Sequence, residues 1–289
     1  MNLTLKPVRG VILDVDGVLL DARASYHAVS EEAARRAIAP LVGEAKARSV
    51  PFDREAEIAA FKAAGRFNDD WETSRGIALL LLLRARGEAP PLDEFLAKAQ
   101  GRGVKGLFEA WPHIAIAQEP ISHACSALYG GDRCRELFGF EAEGRGMWEN
   151  EEVLPDARLL EAVAARFPLA LYTGRNPGEA RLAQKLCKLK IPDALCWVAD
   201  GRPRKPDPAG LIWLCHELLK GAPRGSQVLF IGDTADDHAA SRAAQDRGAP
   251  IVYAHVEAPG DTTRVLSRLL AETAEGAQPP DVTPRGGRE

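Results

Sequence analysis

The sequence predicts an α/β protein, with a Rossmann-like, doubly wound parallel sheet and an α-helical domain inserted into it. Two observations predict this class. From about residue 151 onward, short apolar segments alternate with helical segments, which is typical of a parallel sheet with helices on both faces. Nearer the start, an apolar strand at Val8–Asp14 is followed by a long stretch rich in Ala, Glu, Arg and Leu, which favour helices.

The stretch after the first strand contains candidate helices and no convincing strand. These helices span Ser25–Leu41, Asp53–Ala64, Trp71–Arg86, Leu92–Gln100 and Ile121–Tyr129. The later strands are predicted at Leu169–Tyr172, Ala194–Val198, Gln227–Ile231 and Pro250–Ala254. Their helices are predicted at Pro155–Arg166, Pro177–Leu189, Pro208–Leu219, Asp236–Arg247 and Thr262–Ala274. We therefore expect a core of residues 1–20 and 150–275, a helical cap at 21–149 and a disordered tail at 276–289.

The composition is that of an ordinary globular protein, with 289 residues of which 46% are hydrophobic and 27% charged. A net charge of -4 without a basic stripe argues against a nucleic-acid partner. The longest apolar run, Ile77–Leu83, is too short to span a bilayer. Five cysteines without a CxxC pair favour free thiols in a reducing compartment. With no leader-like segment before the first strand, we expect a cytoplasmic monomer or homodimer without a membrane partner.

Four polar clusters follow four of the predicted strands. They are Asp14-Val15-Asp16-Gly17, Thr173-Gly174-Arg175, Arg204-Lys205-Pro206-Asp207 and Gly232-Asp233-Thr234-Ala235-Asp236-Asp237. Because the carboxyl ends of parallel strands share one edge of a sheet, where α/β proteins bind ligands, we expect the clusters to meet there. Each cluster also has a simpler explanation. Thr173 can cap a helix, Lys205 can be a solvated loop charge, and Asp236 and Asp237 can favour a helix N-terminus.

Together, the clusters contain the components of phosphoryl transfer. Carboxylates from two strands can bind a hard cation such as Mg²⁺. A hydroxyl, a glycine N–H and a lysine can hold the oxygens of a phosphate. One aspartate can attack phosphorus, and a second can protonate the leaving group and then activate water. Every component needed for phosphoryl transfer is therefore present.

These four motifs resemble the haloacid dehalogenase-like (HAD) superfamily of phosphatases, and specifically its subfamily I with a helical C1-type cap. The resemblance implies a Mg²⁺-dependent phosphatase that hydrolyses a small phosphorylated metabolite, its partner, through an aspartyl-phosphate intermediate. Asp14 would be the nucleophile and a metal ligand. Asp16 would be the general acid/base, and its backbone carbonyl would also bind the metal.

The other motifs receive roles from the same resemblance. Thr173 and Lys205 would hold the transferring phosphoryl group, and Lys205 would also neutralise charge on Asp14. Asp233 and Asp237 would bind Mg²⁺, while Asp236 receives no role. The helical insertion would be the cap, from which the family draws most of its substrate choice.

Candidate substrate-binding residues lie in the second motif and in a predicted cap loop. Gly174 and Arg175 follow Thr173 directly. The loop at 65–71 contains Arg66 and Asn68 between two predicted helices, as a small polar pocket requires. An ordinary loop with an aspartate helix cap and an aromatic staple also explains the loop and is the simpler interpretation.

Several alternatives remain open on the same core. A phosphomutase resembling β-phosphoglucomutase differs only in retaining the phosphoryl-enzyme. A phosphonatase needs a Schiff-base lysine from the cap, for which Lys46, Lys62, Lys98 and Lys105 are candidates. A dehalogenase is disfavoured because Asp16 is present. A non-catalytic phosphate-ligand-binding protein is disfavoured because all the catalytic residue types are intact.

Overall fold

The computed structural model describes residues 7–67 and 69–275. Its strands are β1 (Val8–Leu13), β2 (Leu20–Asp21), β3 (Glu152–Val153), β4 (Leu169–Tyr172), β5 (Cys196–Trp197), β6 (Gln227–Gly232) and β7 (Ile251–His255). Five of them form a parallel sheet in the order β5-β4-β1-β6-β7. The predicted α/β class with a parallel sheet is confirmed.

The α-helices flank this sheet or fill the segment between β2 and β3. They are α1 (Ala28–Val42), α2 (Glu44–Ser49), α3 (Arg54–Ala63), α4 (Asp70–Arg86), α5 (Leu92–Ala97), α6 (Gly103–Ala110), α7 (Gln118–Gly130), α8 (Cys134–Phe138), α9 (Ala157–Arg166), α10 (Pro177–Leu186), α11 (Ala209–Leu218), α12 (Ala235–Asp246) and α13 (Asp261–Glu275). Most predicted helices are present with ends shifted by a few residues. The short helices α2, α6 and α8 were not predicted, because so few turns show little periodicity.

Side chains of the central strand alternate between two apolar layers. Val11 and Leu13 pack in a cluster with Leu160 of α9 and Leu266 of α13. Ile12 faces the opposite side and packs in a second cluster, with α11 and α12. The period of two along the strand thus builds a three-layer core with helices on both faces of the sheet.

The helical segment has a hydrophobic core of its own. At its centre lies α4, whose residues Ile77–Leu83 are all fully buried. Helices α1 and α7 pack against α4 and against each other. A helix that is apolar on every side is stable only when neighbours surround it, and here the insertion supplies those neighbours.

The chain leaves and re-enters the sheet region through a small antiparallel pair, which differs from the expectation that this stretch lacks strands. Leu20 pairs with Val153, and Asp21 pairs with Glu152. The Leu154 N–H also donates to the Leu19 carbonyl, 2.9 Å away. Strands of two residues are too short to produce a sequence pattern, so this pair could not be predicted.

Three further sequence expectations concern regions away from the sheet. All five cysteines are free and buried. Within the described residues, no helix combines the length and apolarity needed to cross a membrane. The tail predicted at 276–289 lies outside the described residues.

The core of the insertion can be tested with two leucines. Leu80 is fully buried in α4, whereas Leu41 in α1 is 52% exposed. We expect Leu80→Ala to lower the free energy of unfolding by about 2–5 kcal/mol, because it leaves a cavity. The control Leu41→Ala is expected to change that free energy by less than about 0.5 kcal/mol. Urea denaturation measures both, and equal losses would contradict the central position of α4.

Candidate active site

The first motif forms a tight turn at the end of β1. The Val15 carbonyl accepts the N–H groups of Leu19 and Leu20 at 2.8 and 2.9 Å. Gly17 has a φ of +72°, and a Cβ there would overlap the Asp233 carboxylate. This position therefore requires glycine both for its backbone and for the close approach of Asp233.

Strand pairing brings the second and fourth motifs beside the first. Leu13 at the end of β1 pairs with Leu171 on one side and with Ile231 on the other. Thr173 and Asp233 each lie two residues beyond these partners, at the same edge as Asp14. The predicted meeting of the motifs at the carboxyl ends of the strands is therefore observed.

Lys205 bridges two of the aspartates. Its Nζ lies 2.8 Å from Asp14 Oδ2 and 2.6 Å from Asp237 Oδ1. Burial would lower the pKa of Lys205, but the carboxylates of Asp14 and Asp237 outweigh it and raise that pKa. Lys205 is therefore a buried, firmly protonated cation rather than a solvated loop charge.

The aspartates also form a candidate metal centre. Carboxylate oxygens of Asp14, Asp233 and Asp237 lie within 4.8 Å of one another. Burial raises the pKa of Asp14, and Lys205 opposes this rise while Asp237 and Asp233 add to it. Burial and the neighbouring Asp237 raise the pKa of Asp233 to about 6. One ammonium cannot neutralise three carboxylates, so the cluster suits a further cation.

The hydrogen bonds of the cluster agree with this interpretation. Asp233 Oδ1 is buried and has no hydrogen-bond partner among the described residues, which leaves it free to bind a cation. Asp237 Oδ2 accepts from the backbone and hydroxyl of Thr234, in a capping box that begins α12. Asp237 therefore both caps a helix and faces Lys205. A set of hard oxygen donors of this kind fits Mg²⁺.

Thr173 does not cap a helix. Its Oγ1 accepts the Arg175 N–H at 3.2 Å, and α10 is instead capped by Asn176 in a capping box with Glu179. Since the hydroxyl accepts this bond, its own proton remains available to a ligand oxygen. Together with Gly174, Thr173 lines the cavity described below.

Asp16 has different surroundings from the metal cluster. Its carboxylate is paired with Arg175, at 2.6 Å from Nη2 to Oδ1. The side chain of Asp16 is 41% exposed and lines the cavity. Its backbone carbonyl remains the predicted metal ligand, because the carboxylate is not among the three that cluster.

A cavity of about 1130 Å³ opens over these motifs, between the sheet edge and the helical insertion. Of the predicted substrate-binding residues, Gly174, Arg175 and Arg66 line it, while Asn68 lies outside the described residues. The insertion adds further lining residues, among them Arg23, Tyr26, His27, Lys62, Asp70 and Trp71. The cavity is thus polar where it faces the motifs and partly aromatic on the insertion side.

Asp69, in the loop at 65–71, caps a helix and also contacts the third motif. Asp69 caps α4 by accepting the N–H groups of Trp71 and Glu72, as the simpler interpretation requires. Its second oxygen, Oδ2, lies 3.0 Å from Arg204 Nη1, next to Lys205 in the third motif. Asp69 therefore joins α4 to the loop that carries Lys205, and both Asp69 and Arg204 line the cavity.

Of the four lysines considered for a Schiff base, Lys62 lines the cavity. Its Nζ lies 3.5 Å from Asp70 Oδ1. Burial lowers the pKa of Lys62, but Asp70 and Asp16 outweigh this and raise it. A firmly protonated amine is a poor nucleophile, so this environment does not favour the phosphonatase alternative.

Sequence reasoning missed the buried side chains behind Arg175. Glu151 is fully buried and lies 2.9 Å from Arg175 Nη2, and Tyr129 donates to Glu151 at 3.0 Å. Glu151 follows other acidic residues that are exposed, so no local signal distinguishes it. Tyr129 lay at the end of a predicted helix and could only be assigned to the apolar core.

A model of the haloacid dehalogenase-like hydrolase family matches residues 8–245. The chain therefore belongs to this family of enzymes, as its four motifs predicted. The matched region includes the first motif, the helical insertion and all of the acidic cluster. No curated protein matches this chain.

Three solved structures are similar to this chain to different degrees. A phosphatase from Thermococcus thioreducens has 24% identity and a TM-score of 0.70, covering 90% of this chain and 98% of its own. A protein assigned as a phosphoglycolate phosphatase from Lactobacillus plantarum has 18% identity, coverage of 89% and 88%, and a TM-score of 0.47. One assigned as a β-phosphoglucomutase from Thermotoga maritima has 19% identity, coverage of 90% and 98%, and a TM-score of 0.44. The first likeness shows the fold, and the other two are too weak to argue from.

The contact between Gly17 and Asp233 can be tested against a matched glycine. Gly87 has a φ of +74°, but an added Cβ there meets no atom within 4 Å. Alanine strains both backbones by about 1 kcal/mol, whereas only Gly17→Ala displaces Asp233. We expect Gly17→Ala to weaken Mg²⁺ binding by about 10-fold or more, and Gly87→Ala to leave it unchanged. Calorimetric titration measures both affinities, and equal affinities would refute this contact.

The buried Glu179 makes stability depend on pH. Burial raises the pKa of its carboxyl from 4.5 to about 7, although Arg175 opposes the rise. The unfolded chain therefore loses this proton at lower pH than the folded protein, and stability falls as the pH rises between these values. Between about pH 4.5 and pH 7, we expect the free energy of unfolding of wild type, measured relative to that of Glu179→Gln, to fall by at most about 3 kcal/mol.

The measurement is the free energy of unfolding at about pH 4.5 and at about pH 7.5. Outside this range, Glu179 titrates little in either the folded or the unfolded chain. Glu161→Gln, at an exposed position in α9, is the control and should show no such dependence. A constant difference between wild type and Glu179→Gln would contradict the raised pKa of Glu179.

Proposed function

We propose that the chain is a Mg²⁺-dependent phosphatase that hydrolyses a small phosphorylated metabolite through an aspartyl-phosphate on Asp14. The observation that carries this proposal is the position of Lys205 between Asp14 and Asp237, 2.8 and 2.6 Å from their carboxylates. Asp233 completes an acidic cluster beside them, at the floor of the cavity. This arrangement suits an incoming phosphate, since it provides a nucleophile, a cation and a metal site at one point.

The reaction requires two steps at phosphorus. In the first, Asp14 attacks phosphorus, the bond to the leaving oxygen breaks, and that oxygen takes a proton from Asp16. In the second, water attacks the phosphorus of phosphorylated Asp14 while Asp16 accepts the proton from that water. Phosphate then leaves, and the Asp14 carboxylate and protonated Asp16 are restored.

The remaining residues hold the phosphoryl group and its charge. Lys205 and the Thr173 hydroxyl donate to its oxygens, and the Gly174 backbone lies beside them at the cavity wall. Asp14, Asp233 and Asp237, with the Asp16 backbone carbonyl, would hold Mg²⁺. When bound, Mg²⁺ supplies charge stabilisation for the phosphoryl oxygens. The buried, unpartnered oxygen of Asp233 supports this assignment.

The helical insertion fits the role of a cap. We propose that residues 21–149 form a C1-type cap on a core made of residues 1–20 and 150–275. In support, the cluster that fills the insertion draws mainly on residues between Ala22 and Leu137, separate from the two layers around the sheet. The insertion also supplies much of the cavity wall, so it would select the metabolite and exclude bulk water.

The first experiment measures phosphate release from a panel of phosphorylated metabolites. We expect release with Mg²⁺ and its loss with a chelator. Asp14→Asn should reduce release by about 10³-fold or more, because the amide is no nucleophile. Asp246→Asn, an exposed substitution near the end of α12, is the matched control and should keep full activity.

A second measurement and two contrary outcomes complete the test. Borohydride treatment of acid-quenched enzyme, followed by mass spectrometry, should modify Asp14 in the wild type after exposure to substrate. Full release by Asp14→Asn would refute the proposed mechanism. Conversion of a sugar phosphate to its isomer, without phosphate release, would identify a mutase instead.

A further inference from the structure

Arg175 is a buried arginine whose hydrogen bonds are all made within the protein. Its side chain is 1% exposed. Nε donates to Asp16, and Nη2 donates to Asp16 and to Glu151. Nη1 donates to Glu151 and to the Tyr129 hydroxyl. A guanidinium has five N–H groups, and these contacts engage every one of them.

This saturation decides between two roles for Arg175. A substrate phosphate would have to displace a carboxylate before Arg175 could donate to it. The displaced carboxylate would then lose its partner, which is costly above all for the buried Glu151. The direct substrate contact predicted from the sequence is therefore less favoured than a role through Asp16.

We propose that Arg175 is a positioning residue that fixes the orientation of the Asp16 carboxylate for proton transfer. This inference rests on the proposed function, in which Asp16 is the general acid/base. Nη2 lies 2.6 Å from Asp16 Oδ1, and Nε lies 3.1 Å from Oδ1 and 3.3 Å from Oδ2, so both oxygens of the carboxylate are engaged. Such a fork fixes direction as well as distance, which a single ammonium cannot do.

Glu151 anchors the guanidinium from its other side. Its two oxygens lie 2.9 and 3.1 Å from Nη2 and Nη1 of Arg175. Glu151 Oε1 also accepts the hydroxyls of Ser25 and Tyr129, each at 3.0 Å. Ser25 and Tyr129 therefore hold Glu151 independently of Arg175, so Glu151 can fix the guanidinium on the side away from Asp16.

The surroundings further restrict Arg175. The guanidinium lies 5.1 Å from the ring of Tyr26, which donates to Glu179 at 2.9 Å. Tyr26 also stacks on Tyr129 at 4.9 Å. Aromatic contact on one face and two carboxylates at its rim leave the guanidinium plane a single orientation. Through its hydrogen bonds, Arg175 in turn fixes the orientation of Asp16, which is the partly exposed member of the group.

The proposal predicts a dependence on the leaving group. An alkyl phosphate needs a proton on its leaving oxygen, whereas 2,4-dinitrophenyl phosphate releases a stable anion and needs none. The ratio kcat/KM reports steps up to phosphoryl transfer to Asp14, so it isolates the step in which Asp16 is an acid. A positioning defect should therefore lower kcat/KM for the alkyl phosphate selectively.

We expect Arg175→Lys to lower kcat/KM for glycerol 2-phosphate by about 10²-fold and for dinitrophenyl phosphate by less than about 5-fold. Asp16→Asn removes the proposed acid itself, so it should show the same selectivity and the largest difference between the two substrates. Glu151→Gln should lower kcat/KM for the two substrates with the same selectivity as Arg175→Lys, but by smaller factors. It also carries the test if Arg175→Lys does not fold. Arg84→Lys, at a partly buried ion pair with Glu57, is the control and should change neither.

Two results would overturn the inference alone. The first is an equal loss of kcat/KM for the two substrates in Arg175→Lys. The second is an unchanged kcat/KM for glycerol 2-phosphate in that variant. If Arg175→Lys does not fold, the same two results are sought in Glu151→Gln. Equal losses would assign Arg175 a purely structural role. Absence of turnover by the wild type with both substrates and with the metabolite panel would instead overturn the proposed function, and the inference with it.

Discussion

Three carboxylates, from Asp14, Asp233 and Asp237, converge within 4.8 Å at the carboxyl edge of the sheet. Their mutual repulsion is a constraint on which the rest of the site depends. Lys205 compensates part of it, and its pKa is raised as a result. The remaining negative charge makes the cluster receptive to a divalent cation and, through that cation, to a phosphate. A site built from repelling groups must be held by its scaffold, since its own side chains would move apart.

The scaffold that holds these groups is the pairing of β1 with both of its neighbours. The Asp14 N–H donates to the Ile231 carbonyl at 3.0 Å, directly beside the turn that carries Asp233. On the other side, Leu13 pairs with Leu171 of β4, two residues before Thr173. Strand order changes direction around β1, which creates the crevice where α/β sheets bind ligands. The geometry of the site is therefore set by backbone hydrogen bonds rather than by flexible side chains.

The sheet and the motifs at its edge could be predicted because both depend on local patterns. Apolar runs such as Gln227–Ile231 mark buried strands, and the polar residues after them must lie at the sheet edge. Glu151 and Tyr129 could not be predicted, since their burial depends on how the insertion packs against the sheet. The pair Leu20–Asp21 and Glu152–Val153 is equally non-local, because its strands are separated by the whole insertion.

Asp14 and Asp16 show how two like residues, separated by only Val15, acquire different surroundings. A side chain at the end of a strand and one in the turn beyond it need not contact the same partners. Asp14 is buried against Lys205, 2.8 Å away, within the acidic cluster. Asp16 is more exposed and is held by Arg175 instead. An ammonium can be shared among the acidic cluster and a phosphate, whereas a saturated guanidinium orients one carboxylate without competing for the phosphate. In the proposed mechanism, the different cation beside each aspartate thus separates the nucleophile Asp14 from the proton donor Asp16.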